Sequence, residues 1–410
     1  MPRKYSCARF AALTVTALLS LPLNAQQSAA TQPALGGNTV KLGVVFPLSG
    51  GSADFGQAAL NGIQLAVDEV NAVGGYLGRK IELVVKDDKG DPETGLKVSQ
   101  ELADLKVAAT IGFCNTGVAI KAIPVFQKAQ MPLLVSCAAG SPVTKQVPGK
   151  DSYVFRVSPS ESIKAPFVTD DILRRGWSKV AIFHDATPYG TAGRDDVLAA
   201  LAKQNLKPVH VTQFALGTKD LSVEMKKARE AGANVIFAYT VGPENAVIAQ
   251  SREAIGWKVP LVGPWTLSFP NFIKSAGKAA EGTLMSQTFI AEPSNERRAA
   301  FLSAYAKKYN TSYIPVPMAA AQSYDATYLL LYSMFALRDG IITGAKLKAS
   351  LEDLRRPYYG VVTTYDKPFS VDDKDAITRN MLVMGVVKNG VVTFAYAEDA
   401  KKNLIVQRKQ

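Results

Sequence analysis

Apolar and polar positions follow two rhythms along this chain. Short runs rich in β-branched and apolar residues at 41–46, 81–86, 108–111, 132–135, 179–183, 208–212, 235–239 and 261–262 read as strands. Helical spacing fills most of the gaps, at 57–73, 94–105, 118–128, 191–204, 221–231 and 244–255. In the first of these Ala59, Ile63, Ala66, Val67 and Val70 share one face. Gly74-Gly75 then stops it, because glycine enters the left-handed cap without a Cβ penalty. Repeated strand–helix units predict an α/β chain with parallel sheets and right-handed crossovers. The run 153–158 (YVFRVS) breaks the rhythm and reads as a crossover between two such series. Later the pattern turns helical at 295–309 and 318–339, then returns to short strands near 358–365, 381–387 and 391–396. Asn389-Gly390 between two β runs is a hairpin signal. This late return of both element types means that one or both domains are discontinuous.

Residues 1–25 carry Arg3, Lys4 and Arg9, then an uncharged run over 10–23 and a small-residue end, the pattern of a secretory signal peptide. The run falls short of the roughly 20 apolar residues of a membrane span. Residues 26–38 form a polar linker with Gly and Pro. Of the 410 residues, the remainder suffices for two domains with ample cores. Loss of the three basic residues lowers the net charge from +12 to +9. These charges are dispersed and lack aromatic interleaving, which argues against nucleic acid. Cys114 and Cys137 each follow a short strand, so they are either a disulfide or two buried thiols. His184 and His210 lie in unlike contexts and suggest no metal site.

The sequence has no G-x-S-x-G elbow, Walker loop, H-E-x-x-H or dinucleotide fingerprint. Ser49 or Ser52 with His184 lacks an identifiable third member, so an enzyme is disfavoured. The loops after strands are the chemically suggestive places, because ligands of open α/β sheets sit at the carboxyl ends of strands. Gly112 to Gly117 opens into a helix, where free amides and the helix dipole suit an anion. Asn115 or Thr116 is also a natural N-cap there. The acidic turn Asp87-Asp88 with Asp91 reads as solvated, and Tyr324 as core packing.

In order along the chain stand LGVVFPLSGGSADFGQAALNGIQLAVDEVNAVGG, DDKGDPE, IGFCNTGVAIKAIPVFQKAQMPLLVSCAAGSPVT, VFRVSPS, VAIFHDATPYG, PLVGPWTLS and EGTL. Together these resemble the periplasmic substrate-binding proteins of ABC importers, in the branched-chain amino acid (Leu/Ile/Val-binding) family. The resemblance implies a type I periplasmic binding protein fold. Two α/β lobes, each a parallel-type sheet flanked by helices, would be joined by a three-segment hinge that closes on ligand. The lobes would comprise 39–157 plus 288–383, and 158–287 plus 384–410. It implies a monomer in the periplasm, a small-molecule ligand, permease subunits as partners and no cofactor. A ligand-presenting sensor subunit would share the same fold.

The resemblance also implies a ligand site. Thr116, beside Asn115, matches a hydroxyl that holds a ligand carboxylate. Cys137, Ala138 and Ala139 match the second loop, with Ala139 where the family carries a hydroxyl and Ser141 reachable by a small shift. Phe55 and Tyr189 match aromatic walls from the two lobes. Trp265 stands where the family's amino acid binders place the glutamate that meets the α-ammonium. A neutral indole cannot do so, and burying an unpartnered ammonium costs several kcal/mol. The expectation is a small carboxylate without an amine, aromatic or branched and apolar. If Glu244, Asp185 or Glu161 supplies the missing charge, the ligand is an amino acid instead.

Overall fold

The structure is a computed structural model that describes residues 39–402 and Lys409. The signal-peptide and linker readings lie outside the described residues. Strands β1 (Val40–Phe46), β2 (Ile81–Asp87), β3 (Thr110–Gly112), β4 (Leu133–Val135) and β5 (Val154–Arg156) form one sheet in the order β2-β1-β3-β4-β5. Every pairing in it is parallel. Helices α1 (Ala53–Ala72), α2 (Pro92–Asp104) and α3 (Thr116–Lys128) connect its first four strands. The run over 153–158 is therefore not only a crossover, since its residues 154–156 are the fifth strand of this sheet. Leu42 and Val44 enter one apolar core while Val45 enters another. That two-residue alternation places packed helices on both faces of the sheet.

The chain then crosses to a second sheet. It runs through α4 (Glu161–Arg174), β6 (Val180–Asp185), α5 (Pro188–Ala202), β7 (His210–Phe214), α6 (Ser222–Glu230) and β8 (Val235–Tyr239). It continues through α7 (Glu244–Ala254), β9 (Leu261–Gly263), α8 (Pro270–Ala276) and β10 (Leu284–Gln287). Helices α9 (Glu296–Tyr309), α10 (Pro317–Phe335) and α11 (Gly344–Glu352) follow, with the small hairpin β11 (Tyr358–Tyr359) and β12 (Thr364–Tyr365). Strands β13 (Val383–Lys388) and β14 (Val391–Phe394) and helix α12 (Ala397–Lys402) end the described chain. The second sheet has the order β14-β13-β10-β9-β8-β6-β7. Its β6 to β10 pairings are parallel, but β13 and β14 run antiparallel, so the sheet is mixed.

Helix α10 packs along α1, under the first sheet. Gly62 permits this approach, because a Cβ there would stand 2.1 Å from the Ala320 carbonyl oxygen. The same helix buries Asp325 completely. Its carboxylate accepts from the Val361 and Val362 amides at 2.8 Å each, and from the Tyr358 and Tyr365 hydroxyls at 3.0 and 3.1 Å. The β11–β12 hairpin is thereby pinned to α10. Tyr324 packs as expected and donates to Glu69, away from the inter-sheet cleft.

Asp325→Ala would leave four buried donors without an acceptor. Each unsatisfied group costs about 1–3 kcal/mol, so a loss of roughly 3 kcal/mol or more is expected. Urea unfolding should show a lower midpoint at unchanged slope. A midpoint within error of the parent would show that water reaches this site.

Candidate functional site

The loops at the carboxyl ends of the parallel strands of both sheets meet at one cleft, where Phe55 contacts Trp265 and Ser141 contacts Asp196. On the first sheet, α1 begins just after the loop that leaves β1, and its first turn carries Phe55. Asn115 caps α3 in extended conformation, without a side-chain cap bond. Its Nδ2 donates to Ser52 at 3.3 Å, while its buried Oδ1 has no partner. The Thr116 hydroxyl accepts from the Gly140 amide at 3.1 Å, which joins the loops after β3 and β4. A Cβ on Gly140 would lie 2.4 Å from Thr116 Cγ2, so only glycine allows that contact. The Arg156 side chain, fully buried, donates to the Gly140 carbonyl at 2.8 Å and that of Ala139 at 3.3 Å. It also pairs with Asp375 at 2.6 Å. Ser158 donates to the Ala138 carbonyl. With their carbonyls bound from behind, residues 138–140 form a rigid small-residue shelf.

From the second sheet come Tyr189 on the first turn of α5 and Trp265 just past β9, each buried. Thr187 caps α5 by accepting from Gly190, and Asp185 holds Thr187 in turn. The Tyr189 and Thr266 hydroxyls are buried beside each other, with Glu161 also near Tyr189, and neither makes a hydrogen bond of good geometry. Phe55 reaches across to Phe269 at 4.8 Å and to Trp265, edge-on, at 6.4 Å between centroids. Ser141 likewise donates across the cleft to Asp196 of α5 at 2.5 Å. The remaining crevice between residues 51–55 and 269–271 holds about 10 Å³, so the two lobes touch here.

Beside these walls lies an ion pair of which the sequence reading considered Glu161 but not its partner Lys164. Glu161 and Lys164, three residues apart on the first turn of α4, are both fully buried and 2.5 Å apart. Lys164 Nζ sits 3.8 Å over the Trp265 ring and has no further hydrogen-bonding partner among the described residues. Glu161 also accepts from the Tyr239 hydroxyl at 2.8 Å, and Tyr239 faces Tyr189 with centroids 5.7 Å apart. The Glu161 amide donates to the Ala139 carbonyl at 2.8 Å, which ties the pair to the shelf. Burial pushes the Lys164 ammonium down to about 8 despite its anionic neighbour. Burial also raises the Glu161 carboxyl, against the pull of Lys164. Desolvation thus outweighs attraction for both partners. The available signal was charge at i,i+3 on a turn whose neighbours face a core.

The predicted site residues therefore gather on two facing surfaces. Phe55, Asn115, Thr116, Ala138 and Ala139 lie on the first, and Tyr189 and Trp265 on the second. Cys137 sits further back, against Ser136 and Ser323. Both described cysteines are free thiols, which decides that alternative. Of the three carboxylates considered for Trp265, only Glu161 stands beside it through Lys164. Glu244 accepts from the Gly217 amide, and Asp185 holds the α5 cap. The acidic turn needs correction at Asp88, which is fully buried rather than solvated. Burial lifts its carboxyl to about 7, although the Gly90 amide donates to it. Ser49 donates to Asp87, and the His184 ring meets the Asp185 carbonyl, so neither engages the other.

An ion pair that burial disfavours should be a net cost to folding. Replacing both partners, as Glu161→Gln with Lys164→Met, is expected to leave stability unchanged or raise it by about 1–4 kcal/mol. Lys164→Met alone should cost about 3–5 kcal/mol, since it strands the carboxylate. Between pH 8 and the ordinary lysine value of 10.5 the unfolded chain keeps a proton that folded Lys164 has lost. The Lys164 contribution to stability therefore rises with pH across that window. Urea titrations at several pH values check both the order of variants and this slope.

A family model described as periplasmic binding protein matches residues 39–390. A Leu/Ile/Val-binding protein homolog from Brucella abortus is 30% identical over 265 residues, 64% of this chain and 70% of that one. A periplasmic binding protein type 1 from Bordetella pertussis superposes with TM-score 0.79 at 25% identity, covering 87% of this chain and 99% of the other. A Rhodopseudomonas palustris solute-binding protein, solved with benzoate, gives TM-score 0.75 at 19% identity over 87% and 96%. Among the described residues no helix is long and apolar enough to cross a membrane. With two facing sheets of that topology and a family match along nearly the whole described chain, the protein belongs to the periplasmic binding protein family, in its branched-chain amino acid branch.

Proposed function

We propose that this protein captures a small carboxylate that lacks an amine, aromatic or branched and apolar, and delivers it to an ABC importer. The observation that carries the reading is Trp265, a buried indole between Phe55 and the Lys164 ammonium. That wall offers aromatic surface and no free anion. Pockets of this kind bind by apolar contact and a few placed polar groups. The buried hydroxyls of Tyr189 and Thr266 supply such groups from one lobe. The amino end of α3 and the Ala139 amide of the shelf supply N–H groups from the other, since the Ala138 and Gly140 amides already donate to the Phe113 carbonyl and the Thr116 hydroxyl. Phe55, Asn115, Thr116, Ala138, Ala139, Tyr189 and Trp265 would touch the ligand, with Cys137 behind them. The benzoate held by the Rhodopseudomonas neighbour shows that this fold accepts an aromatic acid in that protein. The Brucella relative is named for leucine, isoleucine and valine, so amino acids are the reading to beat.

The test is thermal unfolding of protein refolded from denaturant, to strip carried-over ligand. Benzoate, 4-hydroxybenzoate, phenylpyruvate and branched keto acids run beside leucine, isoleucine and valine. A ligand at 100 times its Kd stabilises by about 2.7 kcal/mol, which reads as a clear rise in Tm. Amine-free acids alone should produce it. A rise with leucine or valine and none with the acids would reject the reading. Trp265→Ala should weaken the best acid at least about tenfold, since losing an aromatic wall forfeits more than 1.4 kcal/mol.

A further inference from the structure

We propose that Lys164 sets the specificity of this cleft. It is a tethered ammonium that occupies the cation position between Glu161 and Trp265, where it binds a ligand carboxylate and rejects a ligand amine. The inference rests on the preceding reading that the cleft is the ligand site, and names the residue that selects the ligand class.

Three observations support it. Lys164 Nζ lies 3.8 Å from the Trp265 ring centroid and 2.5 Å from Glu161, in full burial. An ammonium has three donors, and only the Glu161 contact engages this one. No other charged side chain near it makes a hydrogen bond to it. Arg156 is taken up by Asp375, the Ala139 and Gly140 carbonyls and Thr144, while Asp196, which accepts from Ser141, attracts Lys164 from further off without hydrogen-bonding it. Tyr239 is spent on Glu161. An incoming carboxylate therefore meets an undersaturated cation in a medium of low dielectric, where attraction is strong. An incoming α-ammonium meets that same cation as a like charge, with Glu161 already neutralised. Burial alone disfavours the lysine, so a ligand carboxylate also relieves a penalty in the free protein. A purely structural ion pair would leave ligand choice unchanged when removed, which separates the two roles.

The experiment uses ligand pairs that differ only by the amine: 3-phenylpropanoate with phenylalanine, and 4-methylpentanoate with leucine. Affinities are read by calorimetry on the mature protein, on Lys164→Ala, and on Lys164→Ala combined with Glu161→Gln. The parent should bind the amine-free member of each pair at least tenfold more tightly. Lys164→Ala should weaken that member at least tenfold and strengthen the amino acid, whose ammonium now fills the space beside Glu161 and Trp265. Adding Glu161→Gln should abolish the gain for the amino acid and keep the loss for the acid. If Lys164→Ala does not fold, the double variant still decides, because parent-like affinity for the acid in it overturns the proposal. Unchanged discrimination in Lys164→Ala overturns it too. A parent that prefers the amino acids rejects the proposed function itself, whatever the variants do.

Discussion

Glu161 and Lys164 leave water at the point where the chain first passes from one sheet to the other, and much of the cleft is arranged around that burial. Desolvating two ions is expensive, and their mutual attraction recovers only part of it. The surroundings reduce the remainder. Tyr239 donates to the carboxylate, and the Trp265 face lies under the ammonium. The Glu161 amide is itself bound to the Ala139 carbonyl, whose other partner is Arg156. Crossing segment, ion pair and small-residue shelf thus form one connected polar unit. A shift in any part would leave another buried polar atom unpaired, and that coupling holds the unit rigid.

The contacts that join the lobes are of another kind. Phe55 against Phe269 and Trp265 is an aromatic patch built from two lobes, and Ser141 with Asp196 is one hydrogen bond across the same gap. Such contacts are worth far less than either lobe's own core. Separating them exposes a few rings and hydroxyls and leaves both sheets intact. The chain passes between the sheets after β5, after β10 and before β13, and these passages are where a hinge can turn. Rigid polar units on lobes joined by such weak contacts suit the proposed closure on a ligand.

Elements with strong periodicity were legible before any tertiary information. The first strand and helix, with apolar residues on one helical face and Gly74-Gly75 at the end, lie where the pattern put them. The hairpin at Asn389-Gly390 joins β13 and β14 as its turn chemistry implied. Misreadings arose where burial overrode composition. Residues 153–158 read as a crossover because they break the strand–helix rhythm, yet 154–156 pair with β4 as a strand, with Arg156 buried by carbonyls and Asp375. Helix α4 was missed because Glu161, Lys164 and Pro166 weaken its apolar signal, although the charges pair and the proline sits near its first turns. Asp88 read as solvent-facing because three acidic residues cluster in its turn. Of the candidate site, the aromatic and small residues were found through family resemblance, whereas Lys164 carried no motif.

By itself the sequence determined what depends on neighbours along the chain: the strand and helix alternation, the stops at glycine, the hairpin, and the loops at strand ends that a ligand must face. Those follow from side-chain period and backbone preference, which are local. Only the tertiary structure decided that Cys114 and Cys137 stay thiols, that the β13–β14 hairpin joins the second sheet with β13 antiparallel to β10, and that a lysine stands over the indole. Each of these depends on which distant residue arrives opposite, and on whether water is excluded when it does. The distance from Lys164 to Trp265 along the chain is about a hundred residues, and in space it is 3.8 Å. Burial and pairing are properties of that second distance.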